Sequence, residues 1–392
     1  MYKKIMSKSY DRSKSNAEKY QLRRELFKTD DVLPMWVADM DIVTPPFVID
    51  AIKKRAQHPI LGYEEMPDSA FEAQISWLKR RHNLHVKREW MMYSPSVVAS
   101  INLAIKAFSD IGDKIIVQTP VYFPFISSIK NCGREVVKNP LKIDENGDYT
   151  FDIEDLISKI DKDTKLLLLC SPHNPVGRVW REDELLALSE ICLKNGIKVF
   201  SDEIHSDLIF KAHKHIPFSS LSDEVRDITI TAVGVGKTFN LAGVAISSII
   251  IADEKMREVF AKEYRSTHFA QGSVFGHVAF ESAYTYGDIW VDELMEYLTC
   301  NIKLLQEMLK HHDKKITFKP PQGTYLLWLD CRALGVSDKN LRELFIKSAK
   351  LGLSPGTSFS KEGSGFMRLN AAVPLKSMQE AVARLDHMLE LL

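Results

Sequence analysis

Residues 228–243 read ITITAVGVGKTFNLAG. The first six are apolar or β-branched, the composition of a buried strand, and Lys237 follows just past their end. Three upstream runs end in the same way: 114–117 leads to Tyr122, 166–169 to Asn174 and 197–200 to Asp202. In an open parallel sheet, ligands bind outside the carboxyl ends of the strands. The chain therefore delivers an aromatic ring, an amide, a carboxylate and an amine to one edge of a sheet.

Working outward, helical patterns at 69–81, 97–110, 123–131, 153–160 and 181–195 alternate with these runs, and a further strand is expected at 245–251. Alternation of this kind implies βαβ units. The expected fold is α/β, a mostly parallel central sheet flanked by helices. Beyond residue 291 the pattern changes: an amphipathic stretch at 292–312, a strand pair at 316–319 and 324–329, then helices at 340–351 and 376–391, which predicts a smaller α+β domain. At 392 residues the chain exceeds one ordinary core. The expected division is 1–46 as an N-terminal arm with part of the small domain, 47–290 as the large domain and 291–392 as the C-terminal small domain.

Lys+Arg 52 balances Asp+Glu 52, so net charge calls for neither nucleic acid nor an anionic membrane as partner. The 5 cysteines are scattered and lack CxxC spacing, which implies reduced thiols in a cytoplasmic protein. The histidines lack zinc spacing, so no metal is expected. No apolar run is long enough for a signal peptide or a membrane span.

A lysine amine forms a Schiff base with an aldehyde, which is how pyridoxal 5'-phosphate is held. That cofactor needs a carboxylate on its ring nitrogen, the role open to Asp202. Asn174 can donate to the ring oxygen, Tyr122 can stack on the ring, and a helix starting near Val97 offers free amides to a phosphate. Arg368, between Met367 and Leu369, is a fork for a substrate carboxylate. Each has a blander reading alone: a surface lysine, a helix-capping aspartate, a turn asparagine in HNPVG, a core tyrosine, a snorkelling arginine. In order, on successive strand ends, the joint reading prevails. A competitor of another class is a nucleotide-binding P-loop, because TAVGVGKT approaches G-x-x-x-x-G-K-[ST]. Thr231 stands where the first glycine belongs, and a β-rich run follows where a long helix is needed.

The blocks LPMWVADMD (33–41), SPSVVASI (94–101), PVYFPF (120–125), CSPHNPVGRVW (170–180), SDEIHSDLIF (201–210), KTFNLAG (237–243), AYTYGDIW (283–290), TYLLWLDCR (324–332) and GFMRLN (365–370) resemble the fold-type I, pyridoxal-phosphate-dependent class I/II aminotransferase superfamily. Within it they resemble the cystathionine β-lyase group. The resemblance implies Lys237 as the catalytic, cofactor-bearing lysine, Asp202 at the ring nitrogen, Asn174 and His205 near the ring oxygen, and Tyr122 stacked on the ring. It further implies phosphate contacts from the amides of Val97 and Val98 and from Tyr63 of a neighbouring subunit, hence a homodimer with shared sites. Arg368 would bind the substrate α-carboxylate, and Trp36, Ala38 and Asp39 would line the substrate pocket. The chain departs from the pattern at Gly234 and Gly236, where Ser or Thr is usual, and at Ser96, Ala245 and Tyr20. The implied activity is carbon–sulfur β-elimination on an amino acid. An aminotransferase is the alternative, and a regulatory binding protein with a protein partner the weaker one.

Overall fold

The computed structural model describes residues 1–269 and 272–392. Its main sheet has seven strands: β1 (Met91–Ser94), β2 (Lys114–Thr119), β3 (Glu135–Pro140), β4 (Thr164–Cys170), β5 (Lys198–Asp202), β6 (Thr229–Val233) and β7 (Ser247–Ile251), in the order β1-β7-β6-β5-β4-β2-β3. From β3 across to β6 every pair is parallel; β7 runs antiparallel to both β6 and β1. The expected, mostly parallel sheet is present.

Its central strands are apolar without alternation because both faces are covered. In β4, Leu166 and Leu168 pack with Ile101 and Ile105 of the helix Val97–Phe108. Leu167 and Leu169 pack on the other face, with Leu185 and Leu188 of the helix Glu182–Lys194. Each such leucine contributes roughly 1.5–3 kcal/mol of burial. The helix Val97–Phe108 starts where it does because the Ser96 hydroxyl accepts from the Ala99 N–H at 3.1 Å.

A second sheet consists of β8 (Leu326–Asp330), β9 (Ser354–Pro355) and β10 (Phe366–Asn370), in the order β8-β10-β9, all antiparallel. The helices Asp288–Leu309, Asp338–Lys347 and Leu375–Glu390 enclose its core. Buried Asn301 ties the first of these to the chain after β10, donating to the carbonyls of Ala371 and Val373 at 3.0 and 2.9 Å.

One expected element is corrected. Residues 316–319 form no strand beside 324–329; Thr317 makes a single isolated bridge to Asp330. Pro320 and Pro321 follow at once and have no N–H to extend a ladder, so β8 takes β10 as its partner. The stretch between β7 and Asp288 also carries two helices, Glu254–Ser266 and Val274–Tyr286, that the patterning above did not resolve.

The segment before residue 46 positions the site. Leu33–Pro34 pairs in parallel with Leu351–Gly352. Beyond it, a strap is laced to both sheets. Asn370 of β10 donates to the carbonyls of Val37 and Asp39 at 2.7 and 2.6 Å. Asn240, past the end of β6, bonds Met40 and Ile42. Among the described residues no helix is long and apolar enough to cross a membrane, and no group of three or more His, Cys, Asp or Glu is placed to hold a metal ion.

Candidate active site

The carboxyl ends of β2, β4, β5 and β6 meet at a cavity of about 190 Å³. Its wall includes Tyr122, Asn174, Asp202, His205 and Lys237, together with Val97 and Val98 at the start of their helix and Ala38 of the strap. Eight of the residues singled out in the sequence are thereby brought together.

Lys237 ends a single-turn helix, Val235–Thr238, and its amine donates to the Ala38 carbonyl at 2.6 Å. Burial, and then the nearby positive charge of Arg368, bring its pKa down to about 8, against the opposing pull of Asp39 and Asp202. An amine so depressed is a usable base and nucleophile near neutrality.

Asp202, the last residue of β5, is buried, and one N–H, that of Ile204 at 3.1 Å, bonds its side chain. Burial pushes its pKa up to about 7. A carboxylate with so little counter-charge suits a protonated ring nitrogen, which would restore its ionised form.

Arg368 sits in the middle of β10 and is buried. Its guanidinium donates to Asn174 Oδ1 at 3.0 Å and to the Trp36 carbonyl at 2.7 Å, and lies 4.7 Å from the Phe359 ring centroid. Its Nε is buried without a hydrogen-bond partner. Burial lowers its pKa to about 10, which leaves it cationic at neutrality. Because Asn174 Oδ1 faces Arg368, the amide's Nδ2 is the group left for a ring oxygen.

His205 lies edge to face with Tyr325 at 5.8 Å, and its Nδ1 is buried without a hydrogen-bond partner. Burial, with Lys237 and Arg368 adding to it, pushes its pKa far down, so the ring is neutral. Burial likewise raises the pKa of Tyr122.

The expected cofactor fits these groups. The wall presents the under-compensated Asp202, the Asn174 amide and neutral His205. It also includes Val97 and Val98 at the start of the helix Val97–Phe108, where the helix dipole favours an anion. Lys237 is the one cationic side chain among the described residues of the wall. At Gly234 a side chain is excluded, since a Cβ would lie 2.9 Å from that of Ser247. Gly236 has room for one, and Ala245 is exposed. Ser96 spends its hydroxyl on the helix cap.

Four expected site residues lie off the wall: Arg368, which reaches it through Asn174, and Trp36, Asp39 and Tyr63. Trp36 contributes its backbone carbonyl, while its indole donates to the Lys19 carbonyl at 3.1 Å. The Asp39 carboxylate turns toward the N-terminal arm, 2.6 Å from Arg12 and 2.9 Å from Lys19. Tyr63 stands fully exposed in the loop before the helix Asp68–His82.

Sequence reading missed two groups. The Tyr325 hydroxyl donates at 2.8 Å to the same Ala38 carbonyl that Lys237 uses. Lys19 is wholly buried between Asp39 and Asp41. The D-x-D spacing at 39–41 was the available signal for Lys19: two like charges entering one loop need a cation.

Comparisons with known proteins identify the family. The family model for aminotransferase class I and II matches residues 31–385. Cystathionine beta-lyase PatB of Bacillus subtilis is 40% identical over 379 residues, covering 96% of this chain and 98% of that protein. Protein MalY of Escherichia coli is 31% identical, with 97% of each covered. Among solved structures, cystalysin from Treponema denticola, which contains pyridoxal 5'-phosphate, superposes with a TM-score of 0.95 at 34% identity over 98% of each chain. The family model spans most of the chain and the relatives match it over nearly its whole length, so the chain belongs to the class I and II aminotransferase family.

Proposed function

We infer that the protein is a pyridoxal 5'-phosphate-dependent carbon–sulfur β-lyase, a cytoplasmic enzyme that cleaves L-cystathionine or related cysteine S-conjugates to a thiol, pyruvate and ammonia. The observation that carries this reading is the buried Lys237 amine, depressed to about 8 in one cavity with Asp202, with buried Arg368 bonded to Asn174 of the same wall. The resemblance to cystathionine β-lyases over nearly the full length supports elimination as the outcome.

When bound, the cofactor supplies an electron sink for the charge left at the substrate α-carbon. The chain's own residues do the rest. Arg368 grips the α-carboxylate, with its unpartnered Nε available as a donor. Asp202 would hold a proton at the ring nitrogen. Asn174 Nδ2 and neutral His205 would serve the ring oxygen, Tyr122 the ring face, and the amides of Val97 and Val98 the phosphate. Lys237 in its neutral form removes the α-proton. The β-carbon–sulfur bond then breaks, the thiolate leaves with its electron pair, and the aminoacrylate hydrolyses to pyruvate and ammonia. The strap carbonyls of Trp36 and Ala38, with Asp39 behind them, bound the substrate side.

The functional unit in this reading is a homodimer. The exposed Ile60, Leu61 and Tyr63 of one loop support it, as does the exposed Ala242 of the cavity wall, which Tyr63 of a second copy would cover. The division at 46 and 290 belongs to the same reading: 47–290 holds the main sheet and 291–392 the second, with the helix Asp288–Leu309 carrying the chain between them.

The test is incubation with L-cystathionine and no keto acid. Pyruvate and thiol in equal amounts support the lyase. Turnover that needs a keto-acid acceptor and yields no pyruvate overturns it in favour of an aminotransferase.

A further inference from the structure

Four buried titratable groups that line no part of the cavity stand beside the residues that do. Asp207 Oδ1 accepts from the Trp77 indole N–H at 2.8 Å and from His82 Nε2 at 2.7 Å, and its Oδ2 accepts from the Thr238 hydroxyl at 2.8 Å. Glu203 accepts from the Ser201 hydroxyl, the Phe218 N–H and His215 Nε2, at 2.8, 3.0 and 2.9 Å. The His82 and His215 rings meet edge to face at 5.6 Å and join the two halves into one bracket. The bracket grips the residue after Lys237 at one end and the residue after Asp202 at the other.

The lysine end needs such a grip. The helix Val235–Thr238 is one turn long and has no side-chain N-cap. A single turn does not hold its own dihedral angles in place, because nucleation costs more than one hydrogen bond returns. Its direction must come from tertiary contacts, and these converge on Thr238 and Phe239. Trp77, which bonds Asp207, also packs edge to face on the Phe239 ring at 5.6 Å. Gly287 lets that ring close in, since a Cβ there would lie 2.5 Å from it. Burial works to raise the Asp207 pKa, but His82, Trp77 and Thr238 together hold it below the ordinary carboxylate value, so the group stays an acceptor.

We propose that Asp207 is a positioning residue for Lys237: fixed by Trp77 and His82, it holds the Thr238 hydroxyl and so sets the direction in which the Lys237 side chain leaves a helix too short to set it alone. The proposal rests on Lys237 being the reactive amine, and not on which substrate the enzyme takes. A displacement of about 1 Å at a reacting group costs on the order of a hundredfold in rate.

The test is Thr238→Val in the holoenzyme, which keeps the shape and removes the donor, with Thr238→Ser as the rescue. Two rates are read: kcat for pyruvate release, and the rate at which enzyme stripped of cofactor recaptures pyridoxal 5'-phosphate, followed by absorbance. Thr238→Val is expected to lower both by about tenfold or more with KM within about twofold of wild type, and Thr238→Ser to recover most of the loss. Asp207→Asn should reproduce the defect; if that variant fails to fold, the Thr238 pair still decides. Wild-type rates in Thr238→Val, or a loss matched by its unfolded fraction that serine does not rescue, overturn the proposal. Wild-type protein that captures the cofactor but releases no pyruvate overturns the lyase reading, and the recapture rates still decide the role of Asp207.

Discussion

The Lys237 amine ends on the carbonyl of Ala38, 199 residues away in sequence, at 2.6 Å. Two carbonyls along the same strap hold basic side chains, since Arg368 ends on Trp36. The strap is therefore both a wall and a template: it fixes where Lys237 and Arg368 stand relative to each other. Replacing Lys237 by methionine keeps a long apolar stem in the cavity and removes the amine. The expected outcome is loss of pyruvate release by a factor of about a thousand or more with little change in melting temperature. Borohydride treatment of the holoprotein should fix the cofactor to wild type and not to Lys237→Met, as intact mass would show.

Fork geometry at position 368 can be separated from charge. Lysine keeps the positive charge but cannot reach Asn174 Oδ1 and the Trp36 carbonyl while offering a further planar donor to a carboxylate. Arg368→Lys should raise KM for L-cystathionine by roughly 30-fold or more, about 2 kcal/mol, with a smaller fall in kcat. A kcat loss at unchanged KM would remove Arg368 from carboxylate binding.

The pH dependence of stability isolates Asp202. Its pKa in the cofactor-free protein is about 7, raised by burial from an ordinary carboxylate value. The folded state then binds more protons than the unfolded one between roughly pH 4 and 7. Stability from this group is present below that window and is lost as pH rises through 7. Asp202→Asn removes the titration. Cofactor-free Asp202→Asn should therefore melt only slightly above wild type near pH 5 and well above it near pH 8, while being inactive. Lys237 acts in the opposite sense. With its pKa lowered to about 8, the unfolded state binds more protons between 8 and roughly 10.5, the ordinary lysine value, and its penalty fades as pH climbs through that range. Equal melting of wild type and Asp202→Asn at both pH values would count against a strained, buried carboxylate.

The main sheet and the four strand ends that meet at the cavity were legible because a parallel sheet buried on both faces writes itself as short apolar runs, and Tyr122, Asn174, Asp202 and Lys237 each follow such a run. The second lobe was less legible. Residues 316–319 look like a strand locally, and only the pairing of β8 with residues 40 positions onward, at Phe366–Asn370, shows why they are not. Asp39 was implied as a pocket residue, together with Trp36 and Ala38, by the family resemblance. Its direction depends on Arg12 and Lys19 in an arm whose own sequence is polar and aperiodic. Contacts of that kind have no periodic signature, and Thr238–Asp207 belongs with them.

Tyr325 offers a mild perturbation of the strap. Phenylalanine there removes the second donor to the Ala38 carbonyl and leaves Lys237 to hold it alone. A net cost of about 1 kcal/mol is expected in urea denaturation. Turnover should fall several-fold, because the acceptor that orients the lysine is no longer fixed. Unchanged kcat in Tyr325→Phe would mean the carbonyl is held by the strap's other bonds.

The strongest mechanical prediction concerns Lys19, a residue that lines no part of the cavity. Its amine lies 2.9 Å from Asp39 and 3.0 Å from Asp41, and also donates to the Asp39 carbonyl at 3.1 Å. Arg12 bonds the same two carboxylates from the outer side, both at 2.6 Å. Two cations and two anions are thus balanced in a half-buried cluster that pins the arm to the strap. Lys19→Met fills the space but leaves one cation for two carboxylates, and breaking a buried pair from one side costs about 3–5 kcal/mol. Partial exposure of Asp39 and Arg12 places the expectation at the lower end of that range. Because Trp36 also bonds the Lys19 carbonyl, the strap should loosen with the arm. Lys19→Met should therefore lower the melting temperature and raise KM together. Adding Asp41→Asn to Lys19→Met removes one of the two uncompensated charges and should restore part of both losses, whereas a double variant no better than the single would mean that the stem of Lys19, and not its charge, holds the strap.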